Sequence, residues 1–186
     1  MSLSEVAAPG TTKRIALLVV SVVILGTTLM WSFLSMRAVM EVGGSCADGG
    51  PYVSAQPCPS GAGIIGLAIP LMLLAAFAGS FAGASLPAPN LLVPMWLFLF
   101  GSLGWNFLES GFTTEGGLVA GWIVCGVVFE LMALPAILGI LAAIKVAVIP
   151  PNPPPPGTGS RWWVPAYAAL GAIGFLFGAW SFNALS

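Results

Sequence analysis

Long apolar runs, interrupted at wide intervals by charge, dominate this chain. Ile15 to Met36 contains no charged residue and is bracketed by Lys13 and Arg14 before it and by Arg37 and Glu41 after it. At about 1.5 Å per residue a helix of that length covers roughly 30 Å, the thickness of a bilayer's hydrocarbon core. Similar runs recur from Gly63 to Leu86, Leu91 to Leu108, Gly117 to Ile149 and Trp162 to Ala184. Lipid offers no partner to a bare peptide group, so runs of this kind predict helices. The pattern predicts an all-α, polytopic transmembrane helical bundle of about five spans.

Prolines and turns set the connections. Pro87-Ala88-Pro89-Asn90 is so short a link that the second and third spans must be antiparallel neighbours. The fourth run is too long for one perpendicular crossing and contains Pro135, so it is expected to tilt, kink or project beyond the membrane. An alternative keeps four spans and folds one stretch, the fourth above all, into a re-entrant element. After it, Pro150 to Gly157 favours an extended polyproline spacer. The first run is longer than the roughly 7–15 apolar residues of a secretory signal, so it is expected to remain as an anchor. These boundaries give a tail over 1–14 and a membrane domain over 15–186, with an outer loop over 37–62 and a proline-rich linker over 150–161.

Composition then removes several functional classes. Charged residues make up 6% of the chain and the net charge is −1, which leaves no basic footprint for nucleic acid. Histidine is absent. The commonest ligand for haem and copper, and the commonest general base at neutral pH, go with it, so no cofactor, metal site or catalytic residue is expected. The expected surroundings are membrane lipid and either other integral membrane subunits or further copies of the chain.

Threading five spans places Lys13, Arg14, Lys145 and Arg161 on one side and leaves Arg37 on the other. Because basic residues near span ends are retained in the cytoplasm, the N-terminus is expected inside and the C-terminus outside. Glu41, Asp48, Glu109 and Glu115 then fall outside. Cys46 and Cys58 lie in that outer loop, where an oxidising compartment favours a disulfide worth about 3 kcal/mol by chain entropy. A thiol oxidoreductase is the rival reading, but it usually requires a C-x-x-C pair. Cys125, apolar on both flanks, reads as a small buried hydrophobe.

Glu130 interrupts the fourth run within Val128-Phe129-Glu130-Leu131-Met132. A charged residue there costs roughly 2.5–3.5 kcal/mol on insertion scales, so it has to be protonated, paired or shared with a partner subunit. As a possible intramembrane ionisable site it has Arg37 or Glu109 as candidate electrostatic partners. Three pairs of glycines four residues apart, Gly79 and Gly83, Gly117 and Gly121, and Gly174 and Gly178, are candidate helix-packing faces. A short motif also recurs near the outer ends of three spans, as Trp31-Ser32-Phe33, Trp105-Asn106-Phe107 and Trp180-Ser181-Phe182.

The segment Gly43-Gly44-Ser45-Cys46-Ala47-Asp48-Gly49-Gly50-Pro51-Tyr52, followed by Gln56-Pro57-Cys58-Pro59, resembles a loop of uncharacterised small polytopic membrane proteins of actinobacteria. The resemblance is confined to this loop and the end of the first span, and implies a bacterial plasma membrane. The function expected from the whole is that of a noncatalytic accessory or stabilising subunit of a larger membrane complex. The alternatives are a small proton- or cation-coupled transporter or channel using Glu130, and an exterior thiol-redox protein using Cys46 and Cys58.

Overall fold

The computed structural model describes residues 9–46, 56–86, 88–114, 117–148 and 162–186. They form five α-helices: α1 (Pro9–Glu41), α2 (Ile65–Gly83), α3 (Leu92–Thr113), α4 (Ala120–Val148) and α5 (Trp163–Leu185), with a 3-10 turn at Ala62–Ile64 leading into α2. There is no strand among the described residues. The proline-rich linker, Arg161, Asp48 and Glu115 lie outside them.

Four of the helices, α1, α2, α4 and α5, are long and apolar enough to cross a membrane, and the protein is compatible with an integral membrane protein. The helix that falls short is α3. Asn106, Glu109 and Ser110 dilute its apolar content although it runs for 22 residues. The fourth run is not re-entrant, because Pro135 sits inside one continuous 29-residue helix. Proline frees a carbonyl of the preceding turn. In that turn the Trp96 indole of α3 donates to the carbonyl of Met132 at 2.8 Å, tying the two helices together.

α1 is the hub: its backbone packs closely against α2, α3, α5 and the 3-10 turn, whereas among the described helices α4 comes that close only to α3, and α5 only to α1. Half of the apolar window of α1 is buried inside the protein, against 17% for α4, so α1 is central and α4 peripheral. The buried face of α1 reads Leu18, Ser21, Leu25, Thr28, Ser32 and Ser35, none more than 5% exposed. Those positions step by three and four residues, the spacing that holds one helical stripe against a neighbour. Two of the hydroxyls cost little there because the helix itself satisfies them, and a third, that of Ser35, donates to the Gly61 carbonyl. Thr28 donates to the carbonyls of Ile24 and Leu25, and Ser32 to that of Thr28.

The helices alternate in direction, so α1, α3 and α5 run one way and α2 and α4 the other. α1 and α5 are therefore parallel, and they meet backbone to backbone. A Cβ at Gly26 would come within 2.7 Å of the Gly171 carbonyl, and one at Gly178 within 2.8 Å of the Thr27 carbonyl. Thr27 Oγ1 adds a 3.1 Å bond to the Gly174 carbonyl across the contact. The repeated motif meets itself here, since the Trp31 indole donates to Ser181 Oγ at 2.9 Å.

Of the expected packing glycines, Gly174 and Gly178 form this contact. Gly79 lets α2 approach Ser21 of α1 and the Leu91 side chain, while Gly83 makes ordinary contact with Ala88 and Leu18. The third pair differs from expectation. Gly117 precedes α4 with a φ of 105°, and a Cβ at either Gly117 or Gly121 would meet open space, so neither serves a helix contact among the described residues. The glycines that bring α3 and α4 together are instead Gly104 and Gly126: a Cβ on Gly126 would lie 3.0 Å from the Gly104 carbonyl.

Backbone cannot step aside as a side chain can, so Gly174→Leu is expected to cost about 1–3 kcal/mol. Thermal unfolding in mild detergent should show a lower midpoint for that variant and an unchanged one for Gly121→Leu. Equal midpoints would remove the α1–α5 contact from this account.

Candidate functional site

The C-terminal ends of α1, α3 and α5 and the N-terminal end of α4 meet at one end of the bundle. Two glycines with positive φ, Gly43 at 94° and Gly44 at 82°, stop α1 there. Their amides bond back to the carbonyls of Met40 and Val39, so the last turn of the helix is closed by backbone. The chain returns through Cys58, which is disulfide-bonded to Cys46 with a Cα–Cα separation of 4.8 Å. Gly61, with φ at 86°, accepts a bond from Ser35 Oγ and lies under the Phe182 ring of α5. Disulfide, turn and α5 thus pin the loop to the bundle at three places.

Beside the loop opens a cavity of about 490 Å³, lined among others by Arg37, Glu41, Gln56, Asn106, Glu109 and Trp122. Its centre is an ion pair in fork geometry: Arg37 Nη2 lies 2.9 Å from Glu109 Oε1, and Nη1 lies 3.1 Å from Oε2. Glu41, one turn beyond Arg37, approaches its Nε at 3.9 Å. The Arg37 side chain is 43% exposed and that of Glu109 32%, so solvent screens the pair and it contributes at most about 1 kcal/mol. Its larger effect is positional, since a bidentate fork sets the rotation of α3 against α1. Asn106 does the same from the cavity wall, buried and donating to the Phe33 carbonyl at 3.3 Å. Trp122, from the first turn of α4, lays its ring against Gly44.

One arginine facing two carboxylates leaves these three side chains with a net negative charge. With amide, hydroxyl and indole groups around them, they can recognise a polar or cationic group. No set of three or more His, Cys, Asp or Glu side chains able to hold a metal occurs among the described residues.

Glu130 lies elsewhere. It is half-buried at the seam of α3 and α4, where a Cβ on Gly104 would stand 2.7 Å from Oε1. It takes neither of the partners proposed from the sequence, because Arg37 and Glu109 satisfy each other. Nor does it line the cavity. Cys125 also departs from expectation: it is exposed on the free side of α4 instead of buried.

Asn106 and Trp122 are two of the cavity residues that the sequence did not single out as a site. An amide in the otherwise apolar Trp105-Asn106-Phe107 was the available signal for the first. For the second, a tryptophan near the start of an apolar run points by itself only to a membrane interface. No protein-family model, curated protein or solved structure matches the chain.

If the disulfide holds the cavity rim, Cys46→Ser should lower stability by about 3 kcal/mol. Limited proteolysis of detergent-solubilised protein should then cut within the loop before any helix, as reduction of the native protein should also allow. A loop equally resistant with and without the bond would show that packing alone secures it.

Proposed function

We propose that this protein is a noncatalytic accessory or stabilising subunit of a larger membrane complex, in a bacterial plasma membrane. The observation that carries the reading is the one-sided packing of α4, a full-length apolar helix that among the described helices packs closely on α3 alone and leaves most of its surface uncovered. Lipid can cover such a surface, but lipid does not explain a carboxylate halfway along it. The described ends of the outer loop, joined by the Cys46–Cys58 bond and held to α1 through Gly61, offer a second surface with little freedom to lose on binding, which favours recognition.

The orientation follows from the distribution of cations. Lys13 and Arg14 in the first turns of α1 and Lys145 in the last turn of α4 share one end of the bundle, and that end is assigned to the cytoplasm. The C-terminus of α5 then lies outside with the disulfide. In a Cys125→Ala background, a membrane-impermeant maleimide applied to intact cells should label a cysteine at Ser186 and spare one at Thr12. The reverse pattern would invert the assignment.

A transport reading would need a polar route joining the cavity to Glu130, whereas the cavity lining stops at Asn106. The redox reading has a disulfide but lacks the C-x-x-C spacing that usually accompanies thiol exchange. Purification in mild detergent after in-cell crosslinking tests the subunit reading: the protein should migrate with at least one other integral membrane protein in fixed proportion. Migration alone, with no crosslinked partner, would end it.

A further inference from the structure

Glu130 is the only acidic residue within the Ala120–Ala142 window of α4, and it stands midway along it. Its surroundings are divided. The residues one turn away on one side, Gly126 and Ala133, are buried against α3, while Val127 and Leu134 on the other are 46% and 44% exposed. Gly104 supplies the space in which the carboxyl sits, so the group is held at the seam of α3 and α4.

No hydrogen bond or ion pair to Glu130 exists among the described residues. The described cations are accounted for elsewhere: Lys13 and Arg14 at the start of α1, Arg37 on Glu109, and Lys145 in the last turn of α4. A second copy of this chain would bring the same cations at the same depths, none of them at the midpoint of a span.

The exposed side of α4 has a pattern of its own. Val124, Val127, Leu131, Leu134, Leu138 and Leu141 are 62%, 46%, 61%, 44%, 59% and 56% exposed. They step by three and four residues, the same spacing that marks the buried stripe of α1. In a helix pair built on such a stripe, the residue just before each position that opens a three-residue step flanks the contact and selects the partner by charge. Glu130, directly before Leu131, occupies that place.

We infer that α4 docks a transmembrane helix of a different protein along the Val124–Leu141 stripe, and that this helix presents a lysine or arginine to Glu130 at mid-membrane. The inference rests on the subunit reading and adds the surface and the chemistry of the partner. An unpaired acid in hydrocarbon is costly, and a base on the adjoining helix offsets its charge while making the pairing selective.

The test places a photoreactive benzophenone side chain at Leu131 or Leu134 of the full-length protein in its native membrane, with Leu176 on α5 as the control position. Both α4 probes should capture one and the same protein, in a span containing Lys or Arg, and the α5 probe should not. Glu130→Gln should lower the yield about tenfold, the loss of roughly one ion pair. Glu130→Lys combined with Glu at the partner's basic position should restore it, which separates lost pairing from lost folding. Capture of a span without a base, capture of a second copy, an undiminished yield from Glu130→Gln or failure of the exchanged pair would overturn the inference. A partner captured only from α5 or the loop would also overturn it while leaving the subunit reading intact. Capture from no position at all would remove both.

Discussion

How closely other helices can approach α1 determines this architecture. Between helices in lipid there is no hydrophobic force of the kind that folds a water-soluble core, because the tails are as apolar as leucine. Association must come from dispersion at short range and from polar contacts across the interface. α1 supplies both by using small residues where a soluble core helix would use large ones. Gly26 meets Gly171 and Gly174 directly, and Ser21 meets Gly79, so α5 and α2 are drawn in on different flanks of the same helix.

The same helix accounts for α3. An element carrying Asn106 and Glu109 is poorly suited to lipid, yet α3 is kept at the heart of the assembly with α1 on one side and α4 on the other. α1 offers the Phe33 carbonyl to Asn106 and Arg37 to Glu109, so the polar groups of α3 find partners toward the disulfide end. On its other side α3 turns an aromatic surface to α4, where Phe129 stacks between Phe100 and Phe107 with centroids 6.0 and 5.5 Å away. Neighbours thus compensate for what α3 lacks in apolar length, and its place in the bundle follows from its composition.

The number and approximate extent of the helices were legible because charge and proline mark their ends. Pairing of Cys46 with Cys58 was legible from loop length and compartment. Which faces pack was much less so, since a chain apolar on all sides gives periodicity little contrast to reveal. Gly117 and Gly121 have the same spacing as Gly174 and Gly178, yet one pair looks onto open space and the other onto the backbone of α1. Spacing permits a close contact without specifying that a neighbour will be there. The stripe from Leu18 to Ser35 could have been found by ranking residues by size instead of hydropathy. The cavity depended on Arg37, Asn106 and Glu109 converging from α1 and α3, and no local pattern announces a distance between separate helices.

The parallel pairing of α1 with α5 also has a consequence for biogenesis. α5 is made only after α1, α2, α3 and α4, so the groove around Gly26 and Thr27 stands vacant until α5 follows them out of the ribosome. Until then that stripe of small residues is open to lipid or to any other helix able to approach it as closely.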